Sequence, residues 1–251
     1  MKLFLPKNIF TEKIVDSLED NSKLEIKFLP ASLVTKSVLL EDSLGLIPTL
    51  DIIKYEELFI SSKFGLSFDD RLCNSYIYFK EGENELENIV LVGDLSSVET
   101  VLTKIVFSEL YDTKVSVGLS EKPFDSILEN KLLVGNQNFT DGHFYKGLSL
   151  SEEIIELISA PFVYYVFASK SEEIIGKSAK IFENLSPKFY EQFENQNLIS
   201  GFPQNALEFV RENIYSVNVE LEEQDREGIN QLIRLPYYHG LIENIIEPKF
   251  L

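Results

Sequence analysis

Four short stretches place small polar residues where a chain turns: Leu5-Pro6-Lys7-Asn8, Ser61-Ser62-Lys63-Phe64-Gly65, Gly93-Asp94-Leu95-Ser96-Ser97 and Gly135-Asn136-Gln137-Asn138. Hydroxyls, amides and backbone N–H groups in such stretches can approach a carboxylate or hydroxyl closely, and the same residues are ordinary turn formers. The first and last follow apolar runs, the second interrupts one, and the third joins a strand-like run to a helix-like one. In parallel and mixed sheets, ligands sit at the carboxyl ends of strands, where helix amino termini converge. The third stretch has a further feature. Ser96 and Glu99 have the Ser-x-x-Glu spacing of a capping box, in which the serine hydroxyl takes a helix N–H and the glutamate reaches back to the serine N–H. Two anion-binding donors are then used internally. An ionised Glu99 about 4 Å from a carboxylate ligand would cost on the order of 4 kcal/mol at an effective dielectric near 20, more than the roughly 0.3–2 kcal/mol that a helix terminus supplies.

Other chemistries are less well provided for. Gly65-Leu66-Ser67, Gly118-Leu119-Ser120 and Gly147-Leu148-Ser149 each begin like a nucleophile elbow, but none has the closing glycine. His143 and His239 lie far apart with no His or Cys beside them, and the single Cys73 excludes an intramolecular disulfide, so no metal is expected. No GxGxxG or GxxxxGK[ST] occurs, and no cofactor is expected. The pairs Asp69-Asp70 and Glu222-Glu223 read as solvated faces, and the aromatics of 162–167 as core. A net charge of −18, from 41 acidic and 23 basic residues, would repel a phosphate backbone, so nucleic acid is not an expected partner. The longest apolar run, APFVYYVFA at 160–168, is half the length a membrane span needs. MKLFLPKNIFTEK is too short in its apolar part for a signal-peptide core, which gives a cytoplasmic expectation. Nothing specifies an oligomeric state.

Strand-like and helix-like segments alternate along the chain, which predicts an α/β protein. LEIKFLP reads as a strand, and ELFISSKFGLSF and SYIYFKE as two strands that pair across a polar turn. NIVLVGD runs directly into a helix whose apolar residues, Val98, Val101, Leu102, Ile105 and Val106, recur at helical spacing. Further strands are read at DTKVSVGL, KLLVGNQNF and APFVYYVFA, with a helix opening at a Ser149/Glu152 capping box. The rest of the chain reads as serial helices. GENELEN at 82–88 is the expected hinge, which divides the chain into a discontinuous lobe of 1–87 and 172–251 and an inserted lobe of 88–171.

The order of these stretches resembles the chorismate dehydratases and their cyclic-futalosine relatives in the futalosine route to menaquinone. GLIPTLDIIKY resembles that family's Ile-Pro-Ser-x-Glu-Tyr segment, and ISSKFGLSF its Ser-x-Gly-x-Val-x-Ser strand. GDLSSVETVL resembles the Leu-Asp-x-Ser-Ser-Arg-Thr-Ser helix start, LLVGNQNF the Leu-Ile-Gly-Asp-x-Ala strand end, and ISAPFVYYVFA the Thr-Gly-Leu-Pro-Phe-Val-Phe-Ala strand. The resemblance implies a two-lobed, periplasmic-binding-protein-like type II fold with an interlobe cleft holding a small carboxylated molecule. It also implies a site in which Ser96, Ser97 and Thr100 hold a carboxylate, Ser61, Ser62 and Ser67 line the facing wall, and Asn8 and Asn136 stand at strand ends.

The departures bear on activity. The family's Tyr-Leu-Asn-x-x-Pro is reduced to Pro6-Lys7-Asn8, its Arg-Thr-Ser has become Val98-Glu99-Thr100, and its strand-end Asp is Asn136. Two readings follow. One is a lyase that eliminates water from chorismate to leave 3-enolpyruvyl-benzoate, with no residue assignable as its base. The other is a non-catalytic small-molecule-binding paralogue whose site has been altered.

Overall fold

The computed structural model describes residues 1–19, 24–82, 86–194 and 201–251. The chain begins with β1 (Lys2–Pro6), α1 (Ile9–Asp16), β2 (Glu25–Leu29), α2 (Ala31–Leu40), β3 (Ser43–Pro48) and β4 (Phe59–Phe68). After residues 69–74 come β5 (Ser75–Tyr78), β6 (Asn88–Gly93), α3 (Ser97–Leu110), β7 (Ser116–Leu119), β8 (Asn130–Val134), α4 (Gln137–Thr140), β9 (Leu148–Ser149) and α5 (Leu150–Ile158). After residues 159–161 follow β10 (Phe162–Ser169), α6 (Glu172–Ile181), α7 (Leu185–Glu194), α8 (Gln204–Asn213), β11 (Val217–Glu220), α9 (Glu223–Tyr238) and β12 (Lys249–Phe250).

These strands form two mixed sheets. The seven-stranded sheet of the larger lobe has the order β11-β4-β10-β3-β1-β2, with β12 beside β4. The five-stranded sheet of the smaller lobe has the order β7-β6-β8-β5-β9. β1 lies parallel to both β2 and β3, so α1 and α2 are crossover helices, and the carboxyl ends of β1 and β3 share one edge. β10 runs antiparallel between β3 and β4 with every residue buried. A strand covered on both faces calls for an apolar run without alternation, which Phe162–Ser169 supplies.

In the smaller lobe β6 and β8 are parallel and end together at Gly93 and Val134. Gly93 has φ +104°, and a Cβ there would lie 1.9 Å from the Val134 carbonyl oxygen, so only glycine lets the two strand ends meet. β5 is antiparallel to β8 with Ser75 opposite Val134, which puts Ser75 on the same edge. One apolar core runs through both lobes, from Leu3, Leu5 and Phe10 to Ile77, Leu91 and Leu102.

Two strands stand elsewhere than the sequence predicts. β5 does not pair with β4. It belongs to the smaller sheet, while β10 belongs to the larger one. By sheet membership the inserted lobe begins after Phe68 and ends before Phe162, not at 88 and 171, and the crossings are 69–74 and 159–161. The segment 82–88 joins β5 to β6 within one sheet, with residues 83–85 outside the described ones. A short polar turn is a local pairing signal, but β4 is flanked by β10 and β11, and those pairings are made by distant segments.

Candidate functional site

The amino terminus of α3 lies where the two lobes meet. Ser96 is extended, at φ −130° and ψ −173°, and its hydroxyl accepts the Val98 N–H at 3.2 Å. The Glu99 carboxylate accepts the Ser96 N–H and the Ser96 hydroxyl, each at 2.8 Å. The capping box expected from the spacing is present. Glu99 is fully buried and also accepts a hydrogen bond from the Tyr164 hydroxyl of β10, across the lobe boundary. The Ser75 hydroxyl stands 3.3 Å from the same phenol. Burial pushes the Glu99 carboxyl above the ordinary carboxylate range, and the bonds from Tyr164 and Ser96 offset this only in part. Burial, followed by the field of Glu99, raises Tyr164 and Tyr165 well above the ordinary phenol value.

Two further side chains of the smaller lobe cap helices of the larger one. Asp94, in the turn after β6, accepts the Ala31 N–H at the start of α2 at 2.8 Å. That helix follows Pro30, which offers no side-chain cap, so Asp94 satisfies an otherwise orphaned donor. Asn136 accepts the Ile9 N–H at the start of α1, also at 2.8 Å. Asn8 completes its own box on α1, with its side-chain oxygen taking the Thr11 N–H at 3.0 Å. The amino termini of α1, α2 and α3 are thus each held by a side chain of this same protein.

Of the predicted site residues, Asn8 and Asn136 stand together at the start of α1, Ser96, Ser97 and Thr100 form the start of α3, and Ser67 lies at the cleft end of β4. Asn8 Nδ2, Ser67 Oγ and Ser97 Oγ are buried without a hydrogen-bond partner among the described residues. Thr100 turns its hydroxyl back to the Ser96 and Ser97 carbonyls, at 3.0 Å each, and so is spent within its helix. Ser61 and Ser62 do not belong to this set. The antiparallel pairing of β4 with β10 puts Ser67 opposite Val163 at the cleft end and Ile60 opposite Ala168 at the far end. There the Ser61 hydroxyl accepts the Phe64 N–H at 3.1 Å inside a bulge, and both serines line a groove with Ile175 and Gly176 of α6. The expectation that 61–65 faces the cleft is corrected on that ground: the strand is long enough for its two ends to lie on opposite edges of the sheet.

Sequence reasoning missed Tyr164, Ser75 and the roles of Asp94 and Asn136 as cross-lobe caps. A signal existed for Tyr164, since a tyrosine in a strand buried on both faces needs a partner for its hydroxyl. Both histidines sit beside carboxylates, His143 Nε2 at 3.8 Å from Asp125 and Asp141, and His239 Nε2 at 3.3 Å from Glu109. Among the described residues, no three His, Cys, Asp or Glu side chains are grouped to hold a metal ion.

No protein-family model matches this sequence, and no curated protein does. Solved structures do. The chain is similar to protein AF1704 from Archaeoglobus fulgidus at 13% identity and a TM-score of 0.65, over 96% of this chain and 98% of that one. It is similar to the periplasmic aliphatic sulphonate binding protein SsuA from Escherichia coli at 11% identity and a TM-score of 0.66, over 100% and 93%. A third similar structure is the Candida albicans CA3427 product, described as having the generic periplasmic binding protein fold, at 10% identity and a TM-score of 0.59, over 97% and 91%. At these identities the likeness is one of fold, and the chain has the two-lobed, periplasmic-binding-protein-like type II fold with an interlobe cleft.

Proposed function

We propose that this protein is a non-catalytic cleft protein that binds a small molecule between its lobes, its carboxylate-binding positions having been taken over by its own side chains. The observation that carries this reading is the occupation of Ile9 N–H, Ala31 N–H and Ser96 N–H by Asn136, Asp94 and Glu99. A chorismate dehydratase would need the start of α3 open to a ligand carboxylate. Here its donors are spent on a buried Glu99 that Tyr164 also holds from the other lobe. The fold supports a ligand between the lobes, as in the sulphonate-binding neighbours, one of them, from Xanthomonas axonopodis pv. citri, bound to MOPS. A molecule entering this cleft would displace Asp94 and Asn136 or present uncharged polar groups to Asn8 Nδ2, Ser67 Oγ and Ser97 Oγ.

Chorismate titrated calorimetrically into the native protein should give no binding heat, and no 3-enolpyruvyl-benzoate should form. Glu99→Thr should gain measurable affinity for a carboxylated ligand, because the Ser96 donors are freed, at a cost of about 1–3 kcal/mol for the lost bond from Tyr164, whose hydroxyl keeps only Ser75 as a partner among the described residues. If the native protein binds and dehydrates chorismate, and Glu99→Thr alters neither affinity nor rate, the lyase reading replaces this one.

A further inference from the structure

β2 ends the larger sheet, and among the described residues its strand neighbour is β1 alone. The Glu25 N–H donates to the Met1 carbonyl at 3.0 Å, so by the parallel register Glu25, Lys27 and Leu29 turn their backbone groups toward β1. By the alternation of a strand, the N–H and C=O groups of Leu24, Ile26 and Phe28 then point the other way, along the open edge. Such an edge is a template for another strand unless its side chains spoil the pairing.

Those side chains divide by face. Glu25 and Lys27 are exposed on one face, with Oε1 and Nζ 2.8 Å apart. On the other, Leu24 and Ile26 pack against the main core, while Phe28 keeps 36% of its surface exposed. A Glu and a Lys two residues apart are self-complementary when the strand meets a copy of itself running antiparallel. With a two-fold axis through Ile26, Glu25 of each copy faces Lys27 of the other, Leu24 faces Phe28, and the two Ile26 residues exchange N–H and C=O groups. An axis through Glu25 or Lys27 would instead set that residue against its own copy, and like charges directly opposite destabilise a pair. Charges on an edge strand guard it against pairing; here they bar the neighbouring registers and favour the one centred on Ile26.

We infer that the β2 edge is the contact of a homodimer, in which two copies pair antiparallel about a two-fold axis at Ile26 and join their larger sheets into one. The contact is isologous, so it closes at two copies. A five-residue edge is short for a contact whose stable form buries about 800 Å² per partner, and the net charge of −18 on each copy opposes approach. The dimer is therefore weak and forms as concentration rises. The inference does not depend on what the cleft binds.

Sedimentation of the 251-residue chain from micromolar to near-millimolar concentration should show a monomer–dimer equilibrium. Glu25→Lys and Lys27→Glu, each of which sets like charges opposite one another in this register, should each weaken dimerisation about tenfold. The double variant Glu25→Lys with Lys27→Glu should restore it, and so should mixing the two single variants. Both positions are exposed, so the melting curves should stay near the native one. Amide exchange at Ile26 and Phe28 should slow with rising concentration, while Glu25, already bonded to Met1, keeps its rate. The inference is overturned if the protein is monomeric throughout this range, if a dimer forms that the single charge reversals leave intact, or if the double variant fails to restore it.

Discussion

Glu99 is the residue on which the character of the cleft turns. Its carboxyl is raised by burial above the ordinary value near 4.5, so between that value and the raised one the folded state holds a proton that the unfolded state has lost. Stability therefore falls as pH rises through this window, with a slope of up to about 1.4 kcal/mol per pH unit. Glu99→Gln keeps an acceptor for Ser96 and removes the titration. Urea unfolding at pH 5 and pH 8 should show a smaller loss of stability for Glu99→Gln than for the native protein. Asp94, Glu152 and Glu153 are also raised by burial and keep some slope in both, so the difference between the two proteins is the quantity to read. Equal slopes would mean that Glu99 titrates as in the unfolded chain. The same burial changes how a carboxylate ligand is excluded: a Glu99 pushed toward its neutral form repels less than an ionised one, and the occupied donors of Ser96 are the stronger obstacle.

The starts of α3, α2 and α5 differ in where their caps come from, and one has none. α3 carries its cap in its own first turn, while α2 begins after Pro30 and takes its cap from Asp94 of the other lobe. The Ser149/Glu152 box that the spacing predicts for α5 does not form: Ser149 makes no cap bond, and its hydroxyl lies within hydrogen-bond distance of the Ser151 hydroxyl at 2.8 Å and the buried Cys73 thiol at 3.4 Å. A cap lent by a neighbouring lobe ties helix stability to lobe closure. Asp94→Ala should cost about 1 kcal/mol, and amide hydrogen exchange should speed up at Ala31 and its neighbours in the first turn of α2 while the buried centre of α3 keeps its protection. Unchanged exchange at Ala31 would show that the bond contributes nothing in solution.

At the scale of the whole molecule, the lobes share one apolar core, and α9 seals the second crossing. Gly228 of α9 lies so close to residues 160–161 that a Cβ there would meet the Pro161 carbonyl oxygen at 2.2 Å. Backbone cannot yield as a side chain can, so Gly228→Ala should destabilise by roughly 1–3 kcal/mol, or about 2–4 °C in melting temperature for each kcal/mol. Because the core is continuous, calorimetry should show a single transition that moves as a whole. Two separated transitions would mean that the lobes unfold independently and that the shared core carries little energy.

Features made by residues a few positions apart were legible in the sequence. The Ser96/Glu99 box, the helical period through Val98, Leu102 and Ile105 and the fully buried strand at Phe162–Ser169 all follow from local geometry and from the cost of exposing apolar surface. The order of stretches along the chain also pointed to the two-lobed fold. Tertiary structure alone decided which segments meet. Ile9 and Asn136 are 127 residues apart, Tyr164 and Glu99 are 65 apart, and Ala31 and Asp94 are 63 apart, and no periodicity or turn signal encodes such pairs. For the same reason the sequence could not say that Ser61 and Ser67, on one strand, lie at opposite edges of the sheet. That follows from which strands flank β4, and those come from segments about 100 and 150 residues further along.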